Sequence, residues 1–452
     1  MRIDHPYLPQ TEGDEAEMLK AIGAKSIDEL FSPIPAELQF KRELKLPKAL
    51  SELELKDAFQ ALADKNQSTG KFESYLGAGA YEHFSPSLVG QLISRSEFYT
   101  SYTPYQPEMT QGVLQAIFEW QSCICGLTGM DVSNASLYEG GHALAEACLM
   151  ARAHTGRQRI VLGASVHPEY AAVLRTYTHN LELDIVQAPQ GASGLTDMAA
   201  LEALIDAGTA AVVVAQPGFN GCLEDGDAFA RLAHAQGALL VASVEPVSLA
   251  LLKSPGEFGA DIACGEGQSL GIPLSFGGPW LGFLACKMEL VRRMPGRICG
   301  QTTDNRGQRG FVLTLQTREQ HIRREKANSN ICTNQTLFAI CATMYMSAMG
   351  PQGLTEVAEH GMQKAHYLAG LLKAVPGCSL PNGAAFFNEF VLRLPKPALK
   401  VLDAMKAKNI LAGLDLQRFD ATKPNDILVC VTEVKKKAQL DRYAAVLKEV
   451  LA

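Results

Sequence analysis

The sequence predicts an α/β protein organised around a mostly parallel β-sheet. Between about residues 72 and 288, short runs rich in Val, Ala, Leu and Ile alternate with amphipathic helical segments. Strands that are apolar at nearly every position are buried on both faces, which is typical of a parallel sheet covered by helices. The predicted strands are Arg159–Leu162, Leu183–Val186, Ala210–Ala215, Ala238–Ala242, Asp261–Cys264 and Trp280–Ala285. The helices predicted between them include Pro168–Asn180, Asp197–Ala207 and Asp227–Gln236.

The length and composition predict a globular protein with a large core. The chain has 452 residues, of which 47% are hydrophobic and 20% are charged, so two or three domains are expected. We divide it into an N-terminal helical arm (1–65), a large α/β domain (66–310), and an interdomain helix with a small α+β domain (311–452). The arm contains three short helical patterns between proline-rich connections: Asp14–Ile22, Ser26–Leu30 and Glu52–Asn66.

The second half of the chain begins with a polar segment. Residues Pro295–Gly310 are rich in Gly, Arg and Asn, and we expect them to form a long functional or interfacial loop. Gln335–Met349 then predicts a buried helix, and Phe386–Leu394 and Ile427–Thr432 predict strands of the small domain.

Charge and cysteine usage exclude several classes of protein. The net charge is −7 and Lys and Arg are not clustered, so a nucleic-acid-binding surface is not expected. The 11 cysteines lack disulfide or metal-ligand spacing. Cys123 and Cys125 lie two apart in a helical pattern and would not face each other, so we expect buried thiols and no metal site. The chain shows neither a signal-peptide pattern nor an apolar run of ~20 residues, and we expect a cytoplasmic protein without a membrane partner.

Three groups of residues occur where an α/β sheet places ligands. Gly140 and Gly141 begin an Ala-rich helix, so their N–H groups could hold a phosphate or carboxylate, although such a pair also serves as a tight turn. His167 follows a predicted strand and either stacks on a ligand ring or packs at a helix start. Glu266 and Gln268 follow a later strand and are expected to line a cavity or interface, since a buried carboxylate without partners is costly.

A loop rich in tyrosine and proline is the densest polar and aromatic cluster. Its chemistry-bearing residues are Tyr102, Tyr105, Gln106 and Glu108. The prolines restrict the backbone, and tyrosine combines apolar area with a hydroxyl group, which suits an interface or a substrate wall. An ordinary surface loop is the alternative. Arg297 and Arg318 could contact a carboxylate or phosphate, but salt bridges explain them as well, and we leave them out of the predicted site.

Several motifs together resemble a known family. They are Tyr75–Tyr81, Tyr102–Glu108, Gln111-Gly112, Thr128–Ser136, Pro255–Asp261, Ser275–Pro279 and Thr317–Thr333. Over nearly its whole length the chain resembles the amino-terminal half, called alpha or subunit 1, of the P-protein family of the glycine cleavage system. The resemblance implies the fold type I of pyridoxal-phosphate-dependent transferases, with an N-terminal helical arm and a small C-terminal α+β domain.

The resemblance also implies an activity and partners. The family decarboxylates glycine with pyridoxal phosphate and transfers the aminomethyl group to the lipoyl arm of the H-protein. In its divided form, a paralogous second subunit binds the cofactor through a lysine, and two copies of each subunit are expected to form a heterotetramer. By this resemblance the chain would be one subunit of a glycine dehydrogenase and inactive alone.

The block 238–287 contains no lysine between Lys253 and Lys287. Aligned on the pattern of the cofactor-binding subunit, Ser269 stands at the position of the Schiff-base lysine and Ala242 at that of the aspartate that contacts the pyridine nitrogen. We therefore expect neither a catalytic residue nor a bound cofactor in this chain. By the same resemblance, Gly140, Gly141 and His167 would form a vestigial pocket.

The remaining site residues are expected to face the partner. Active sites of this fold class commonly lie at a dimer interface, so Tyr102, Tyr105, Gln106 and Glu108 would form a wall against the partner's active site. Thr333 would reach the partner's cofactor phosphate. Two alternatives stay open. The chain could be a structural or regulatory scaffold, or an independent lyase of the same fold using Lys253 or Lys287.

Overall fold

The chain forms two compact units. A computed structural model describes residues 7–452, and the first six residues of the predicted arm lie outside this range. One unit ends at Gln67 and the other runs from Ser68 to Ala452. The boundary that we place at residue 310 stays a prediction.

The first unit contains two helices, α1 (Glu12–Ile22) and α2 (Glu52–Ala63), and a 3-10 turn at Ile27–Phe31. Each helix begins with a capping box, in which a hydroxyl and a carboxylate satisfy backbone N–H groups at the helix start. These elements coincide with the three helical patterns predicted for the arm. None of their residues is buried.

The second unit alternates strands and helices. Its helices are α3 (Ser87–Ile93), α4 (Ser96–Tyr99), α5 (Gln111–Thr128), α6 (Gly140–Thr155), α7 (Pro168–Thr178), α8 (Met198–Leu204), α9 (Gly226–Ala235), α10 (Gln320–Arg323), α11 (Thr336–Lys373), α12 (Ala398–Lys406) and α13 (Lys437–Leu451). Its strands are β1 (Glu73–Ser74), β2 (Val132–Ser133), β3 (Arg159–Leu162), β4 (Asp184–Gln187), β5 (Thr209–Gln216), β6 (Leu239–Val244), β7 (Ile262–Glu266), β8 (Gly282–Cys286), β9 (Ile298–Thr303), β10 (Arg309–Thr314), β11 (Glu389–Arg393), β12 (Ile410–Leu411), β13 (Leu414–Asp415) and β14 (Asp426–Cys430). Over residues 7–452, no helix has both the length and the apolar character needed to cross a bilayer.

A seven-stranded sheet forms the centre of the second unit, in the order β2-β8-β7-β6-β5-β3-β4. The five strands from β7 to β4 are parallel, and β8 and β2 add an antiparallel edge. All six predicted strands belong to this sheet. The prediction of a mostly parallel sheet is confirmed, and β2 is the strand that the pattern missed because it has only two residues.

Helices cover both faces of this sheet. Along β5, Val212 and Val214 pack into one core with residues of α5, α9 and α11, whereas Ala211 and Val213 pack into a second core with residues of α6 and α7. Because both faces are covered, nearly every residue of β5 to β8 is buried. This double burial explains why the strands are apolar without alternation.

The C-terminal part packs around a small antiparallel sheet. Strands β11, β14 and β13 form this sheet, and α12 and α13 contribute to its core. Helix α11 bends at Gly350, whose φ is 64°, immediately before Pro351. A proline removes a backbone donor and clashes with the preceding turn, so a bend is expected there. The first half of α11 coincides with the predicted helix Gln335–Met349 and packs on the large sheet.

The expectation of an irregular loop at Pro295–Gly310 is wrong. Strands β9 and β10 pair as an antiparallel hairpin. Only alternate positions of β10 are buried, Phe311 and Leu313, and they pack against residues of α5. Apart from Val312, the other positions of β10 are polar or glycine, and β9 buries only Ile298 and Cys299 at its start. Most of the hairpin therefore has the composition of a loop.

We predict that the anchor of this hairpin contributes to stability. Phe311 is 5% exposed, so Phe311→Ala should lower the free energy of unfolding by about 3 to 5 kcal/mol through lost burial and a residual cavity. Urea unfolding followed by circular dichroism would measure it. Thr302→Ala on the exposed part of β9 is the control and should change stability by less than about 1 kcal/mol. Equal losses of stability for Phe311→Ala and Thr302→Ala would contradict the role of Phe311 as the anchor of the hairpin.

Candidate functional site

A small cavity of about 60 Å³ lies at the carboxyl ends of the central strands. Segments that follow or end β5, β6 and β7 form its floor and α7 contributes one side. Ala78, Gly79, Tyr81 and Glu389 of β11 close it. This is the edge where α/β sheets place ligands. Its polar lining residues are Tyr81, His167, Tyr170, Ser243, Glu245, Glu266 and Glu389.

His167 belongs to this cavity and also begins a helix. Its Nδ1 accepts a hydrogen bond from the Glu169 N–H at 3.1 Å, which caps α7. Its Nε2 donates to the carbonyl oxygen of Ala78 at 2.9 Å, and its ring stacks on Tyr170 with centroids 4.5 Å apart. Burial is the main cause that lowers the pKa of His167. The two predicted alternatives for His167, a pocket residue and a helix-start residue, therefore describe the same side chain.

The N–H groups at the start of α6 are occupied by carboxylates of the protein itself. Glu139 accepts from the N–H groups of Gly141 and His142, both at 2.6 Å. Glu266 accepts from the Gly140 N–H at 2.9 Å. A Cβ atom on Gly140 would lie 2.4 Å from the Tyr170 hydroxyl, so glycine is needed for close packing. The glycine pair thus combines the two roles considered for it. It forms a tight turn, and its N–H groups bind carboxyl groups that belong to the protein itself.

Three buried or partly buried carboxylates face the cavity. Glu266 also accepts from the N–H groups of Gln268 and Leu281, at 3.0 and 2.8 Å. Burial nevertheless raises its pKa to about 7, because the loss of solvation outweighs these hydrogen bonds. Glu389 accepts from the Ala78 N–H at 2.7 Å, and burial raises its pKa to about 7 as well.

Glu245 is the third carboxylate, and it holds the residue at the predicted lysine position. The hydroxyl of Ser269 donates to Glu245 Oε1 at 2.6 Å, and Ser269 is 1% exposed. Glu245 also accepts from the N–H groups of Val247 and Ser248, at 3.0 and 2.6 Å. Ser269 thus belongs to a closed hydrogen-bond network beside the cavity.

Ala242 does not border the cavity. Its side chain is fully buried in the core that α9 and α11 cover, while its neighbour Ser243 lines the cavity from β6. The two lysines of the alternative enzyme lie elsewhere. Lys253 pairs with Asp227 and Lys287 with Asp261, each at 2.6 Å.

These residues do not fit a pyridoxal phosphate. Pockets for ligands of that size have roughly 300 Å³ or more, against the cavity's 60 Å³. No lysine or arginine is among the described residues that line it, whereas three carboxyl side chains are, Glu245, Glu266 and Glu389. The lining therefore offers a phosphate no permanent cation and three acidic groups. The helix start that could hold a phosphate is already bonded to Glu139 and Glu266.

The predicted wall lies outside this cavity. Tyr102 is 78% and Tyr105 52% exposed, and Gln106 and Glu108 are exposed as well. The Tyr105 hydroxyl accepts a hydrogen bond from Arg297 at 2.7 Å.

Arg297 also connects this loop to the segment around Thr333. It donates to the carbonyl oxygen of Cys332 and to Asn334 Oδ1, the latter at 3.1 Å. Tyr105 and the Thr333 segment are therefore neighbours although they are far apart in sequence. Arg318, by contrast, donates to the backbone carbonyls of Met294, Gly296 and Leu315, which is a structural role.

Sequence reasoning missed Glu245 and Glu389 and left Arg297 out of the predicted site. Glu245 directly follows β6, and Glu389 is a charge inside a predicted apolar strand, so both carried a signal that went unused. Arg297 was considered, but its contacts with Tyr105 and Asn334 join segments that no local pattern relates.

Comparisons with known proteins agree with the fold. A family model described as glycine cleavage system P-protein matches residues 5–447. The chain is 49% identical over 445 residues to the protein named probable glycine dehydrogenase (decarboxylating) subunit 1 of Chloroherpeton thalassium, covering 98% of this chain and 100% of that one.

Two solved structures extend the comparison. The crystal structure of glycine decarboxylase (P-protein) of the glycine cleavage system, in inhibitor-bound form, matches with a TM-score of 0.90 and 43% identity, over 99% of this chain and 100% of that one. Sphingosine-1-phosphate lyase of Burkholderia pseudomallei matches at a TM-score of 0.66 and 16% identity, over 92% and 94% of the two chains, and shares the fold alone.

The architecture and these neighbours define a protein with the fold type I that pyridoxal-phosphate-dependent enzymes share, and the fold neighbours support pyridoxal phosphate as a cofactor of the family. Within that class, the chain belongs to the glycine cleavage system P-protein family.

We predict that the buried carboxyls make stability depend on pH. The folded chain keeps Glu266 and Glu389 protonated to about pH 7, whereas a free Glu loses its proton near 4.5. The folded state therefore binds more protons between these values, and the stability from these groups is lost as the pH rises through about 7. Glu389→Gln keeps an uncharged acceptor for the Ala78 N–H. Between about pH 5 and 8 the wild type should lose up to about 3 kcal/mol more stability than this variant.

Urea unfolding at several pH values would test this dependence. Glu202→Gln, at an exposed position of α8, is the control and should keep the wild-type slope. If the free energy of unfolding changed with pH by the same amount in the wild type and in Glu389→Gln, Glu389 would not titrate as described.

Proposed function

We propose that this chain is the lysine-less subunit of a two-subunit glycine dehydrogenase (decarboxylating). In the complex, glycine is decarboxylated at the active site of a partner subunit, and the aminomethyl group passes to the lipoyl arm of H-protein. Pyridoxal phosphate, held by the partner, supplies the electron sink for the loss of carbon dioxide. The complex contains two copies of each subunit and works in the cytoplasm.

The single observation that carries this proposal is the misfit between the sheet-edge cavity and a phosphate-bearing cofactor. The cavity is too small and lined by carboxylates, and Ser269 bonds to Glu245 where a lysine is expected. At the same time the chain keeps 49% identity to a relative named as subunit 1 over that relative's entire length. A conserved architecture with an unsuitable cavity supports a function that depends on another chain.

The exposed wall supports the second part of the proposal, a composite active site. Large exposed apolar side chains cluster along this stretch of sequence: Tyr99, Tyr102, Tyr105 and Met109. Exposed aromatic residues on rigid backbone are typical of interfaces. We assign Tyr102, Tyr105, Gln106, Glu108 and Thr333 to the surface that closes the partner's active site. Gly140, Gly141 and His167 then remain as a vestigial pocket without a cofactor.

A scaffold subunit is the second candidate. It is favoured by the closed hydrogen bonding of the cavity, in which Glu245, Glu266 and Ser269 all have protein partners. An independent lyase has less support, because Lys253 and Lys287 form ion pairs away from the cavity.

We predict that glycine–bicarbonate exchange requires both subunits. With lipoyl H-protein and pyridoxal phosphate, this chain alone should be inactive, because no lysine of residues 7–452 lines the cavity. The mixture with the lysine-bearing partner should be active. Exchange by this chain alone would refute the proposed absence of cofactor chemistry. Full exchange activity of the partner alone would mean that this chain serves only as a scaffold.

We also predict that the wall affects turnover without affecting assembly. In the reconstituted complex, Tyr105→Phe and Glu108→Gln should each lower kcat/KM for glycine or H-protein roughly tenfold, the size expected for one lost hydrogen bond in a desolvated site. Tyr177→Phe, at a 42% exposed tyrosine of α7, is the matched control and should leave kinetics unchanged. Unchanged turnover for both wall variants in an intact complex would favour the scaffold.

A further inference from the structure

Arg297 is a buried cation with an unusual set of partners. It is 4% exposed and lies directly before β9. Its backbone carbonyl accepts a hydrogen bond from Ala135 at 2.8 Å, so its position is fixed from the main chain outward. Burying a guanidinium is costly unless hydrogen bonds and an opposite charge compensate.

The opposite charge near Arg297 is poorly matched to it. Glu319 Oε2 lies 3.9 Å from Arg297 Nε, beyond hydrogen-bond distance. Within residues 7–452, neither Arg297 Nε nor Glu319 Oε1 has a hydrogen-bond partner although both are buried. A buried pair that is optimised only for stability would satisfy these atoms. The ion pair therefore does not account for a cation at this position.

The hydrogen bonds of the guanidinium are directed at two segments of the predicted wall. One amino group donates to the Tyr105 hydroxyl at 2.7 Å and to the Cys332 carbonyl oxygen, and the other donates to Asn334 Oδ1 at 3.1 Å. The guanidinium carbon also lies 4.9 Å from the centre of the Tyr105 ring. Cys332 and Asn334 flank Thr333, so a single side chain fixes both segments.

The segment around Thr333 is tied in turn to the large domain. Asn334 Nδ2 donates to Ser136 Oγ at 2.7 Å, and Ser136 follows the β2 edge of the sheet. Among residues 7–452, Arg297 is the residue that makes a hydrogen bond with the Tyr105 side chain, and the ring of His321 makes an edge contact with it at a centroid distance of 6.2 Å. The orientation of Tyr105 therefore depends on Arg297.

We propose that Arg297 is a positioning residue for the composite active site, and this rests on the proposed function. Its planar fork holds Tyr105 and the Thr333 segment in one fixed geometry, which a single-point lysine ammonium cannot do. By donating to the Tyr105 hydroxyl oxygen, Arg297 leaves the hydroxyl hydrogen free to donate to an acceptor across the interface.

A double-mutant cycle in the reconstituted complex tests this proposal. Arg297→Lys, Tyr105→Phe and the double variant are compared by glycine–bicarbonate exchange with the lysine-bearing partner, pyridoxal phosphate and lipoyl H-protein. Arg297→Lys should lower kcat/KM for glycine roughly tenfold to a hundredfold, as the loss of a charge-assisted hydrogen bond predicts. In the Tyr105→Phe background its effect should be at least threefold smaller, because the oxygen that links the two residues is gone.

Arg318→Lys is the matched control. Arg318 is also a buried arginine, but its hydrogen bonds within residues 7–452 go to the backbone carbonyls of Met294, Gly296 and Leu315 and not to Tyr105 or the Thr333 segment. This variant should leave kcat/KM of the assembled complex within about twofold, whatever it does to stability. Wild-type kinetics for Arg297→Lys, or independent multiplication of the Arg297 and Tyr105 effects, would overturn the proposal. If the wild-type mixture is no more active than the partner alone, the proposed function fails instead.

A second measurement covers the case in which Arg297→Lys does not fold. Tyr105→Phe removes the same hydrogen bond without touching the buried charge. Chymotrypsin should cleave this chain after Tyr102 several times faster in Tyr105→Phe than in the wild type, because the loop has lost its anchor. Equal cleavage rates would show that Arg297 does not hold the loop.

Discussion

The carboxylate of Glu266 at the start of α6 is the interaction around which the sheet edge is organised. It accepts hydrogen bonds from the backbone N–H groups of three different segments: Gly140 at the helix start, Gln268 after β7, and Leu281 before β8. A helix start carries a partial positive charge and unsatisfied N–H donors, so it offsets part of the cost of burying this carboxyl group, although burial still raises the pKa of Glu266 to about 7. One side chain thereby joins the helix, the end of one strand and the beginning of the next.

This arrangement explains how a chain can keep the architecture of a cofactor-dependent fold while its cavity suits no phosphate. The internal carboxylates of Glu139 and Glu266 take the donors that a bound anion would otherwise satisfy. Ser269 and Glu245 close the neighbouring position with a hydrogen bond of 2.6 Å. The fold does not require the cofactor, because the two apolar cores on either face of the sheet supply its stability. In our proposal, the chain acts instead through its exposed surface, where Arg297 holds Tyr105 toward another chain.

The sequence predicted the elements that local patterns encode. All six predicted strands of the large sheet were found, because double burial makes each strand a continuous apolar run. The β9–β10 hairpin was missed for the opposite reason. It buries Phe311 and Leu313 on one face of β10 and Ile298 and Cys299 at the start of β9, and its remaining residues, mostly glycine and polar, have the composition of a loop. Burial pattern, more than propensity, thus decided which elements could be read from the sequence.

The sequence by itself determined the α/β class, the family resemblance, and the absence of a lysine between Lys253 and Lys287. These properties follow from residue identity and short-range periodicity, which are fully present in the chain. Only the tertiary structure decided that Glu245, Glu266 and Glu389 meet in one cavity of about 60 Å³, and that Arg297 joins Tyr105 to the segment of Thr333. These contacts join segments that are far apart in the sequence, so they depend on how the segments pack in space. Hydrogen bonds between distant segments leave no periodic signal in the sequence.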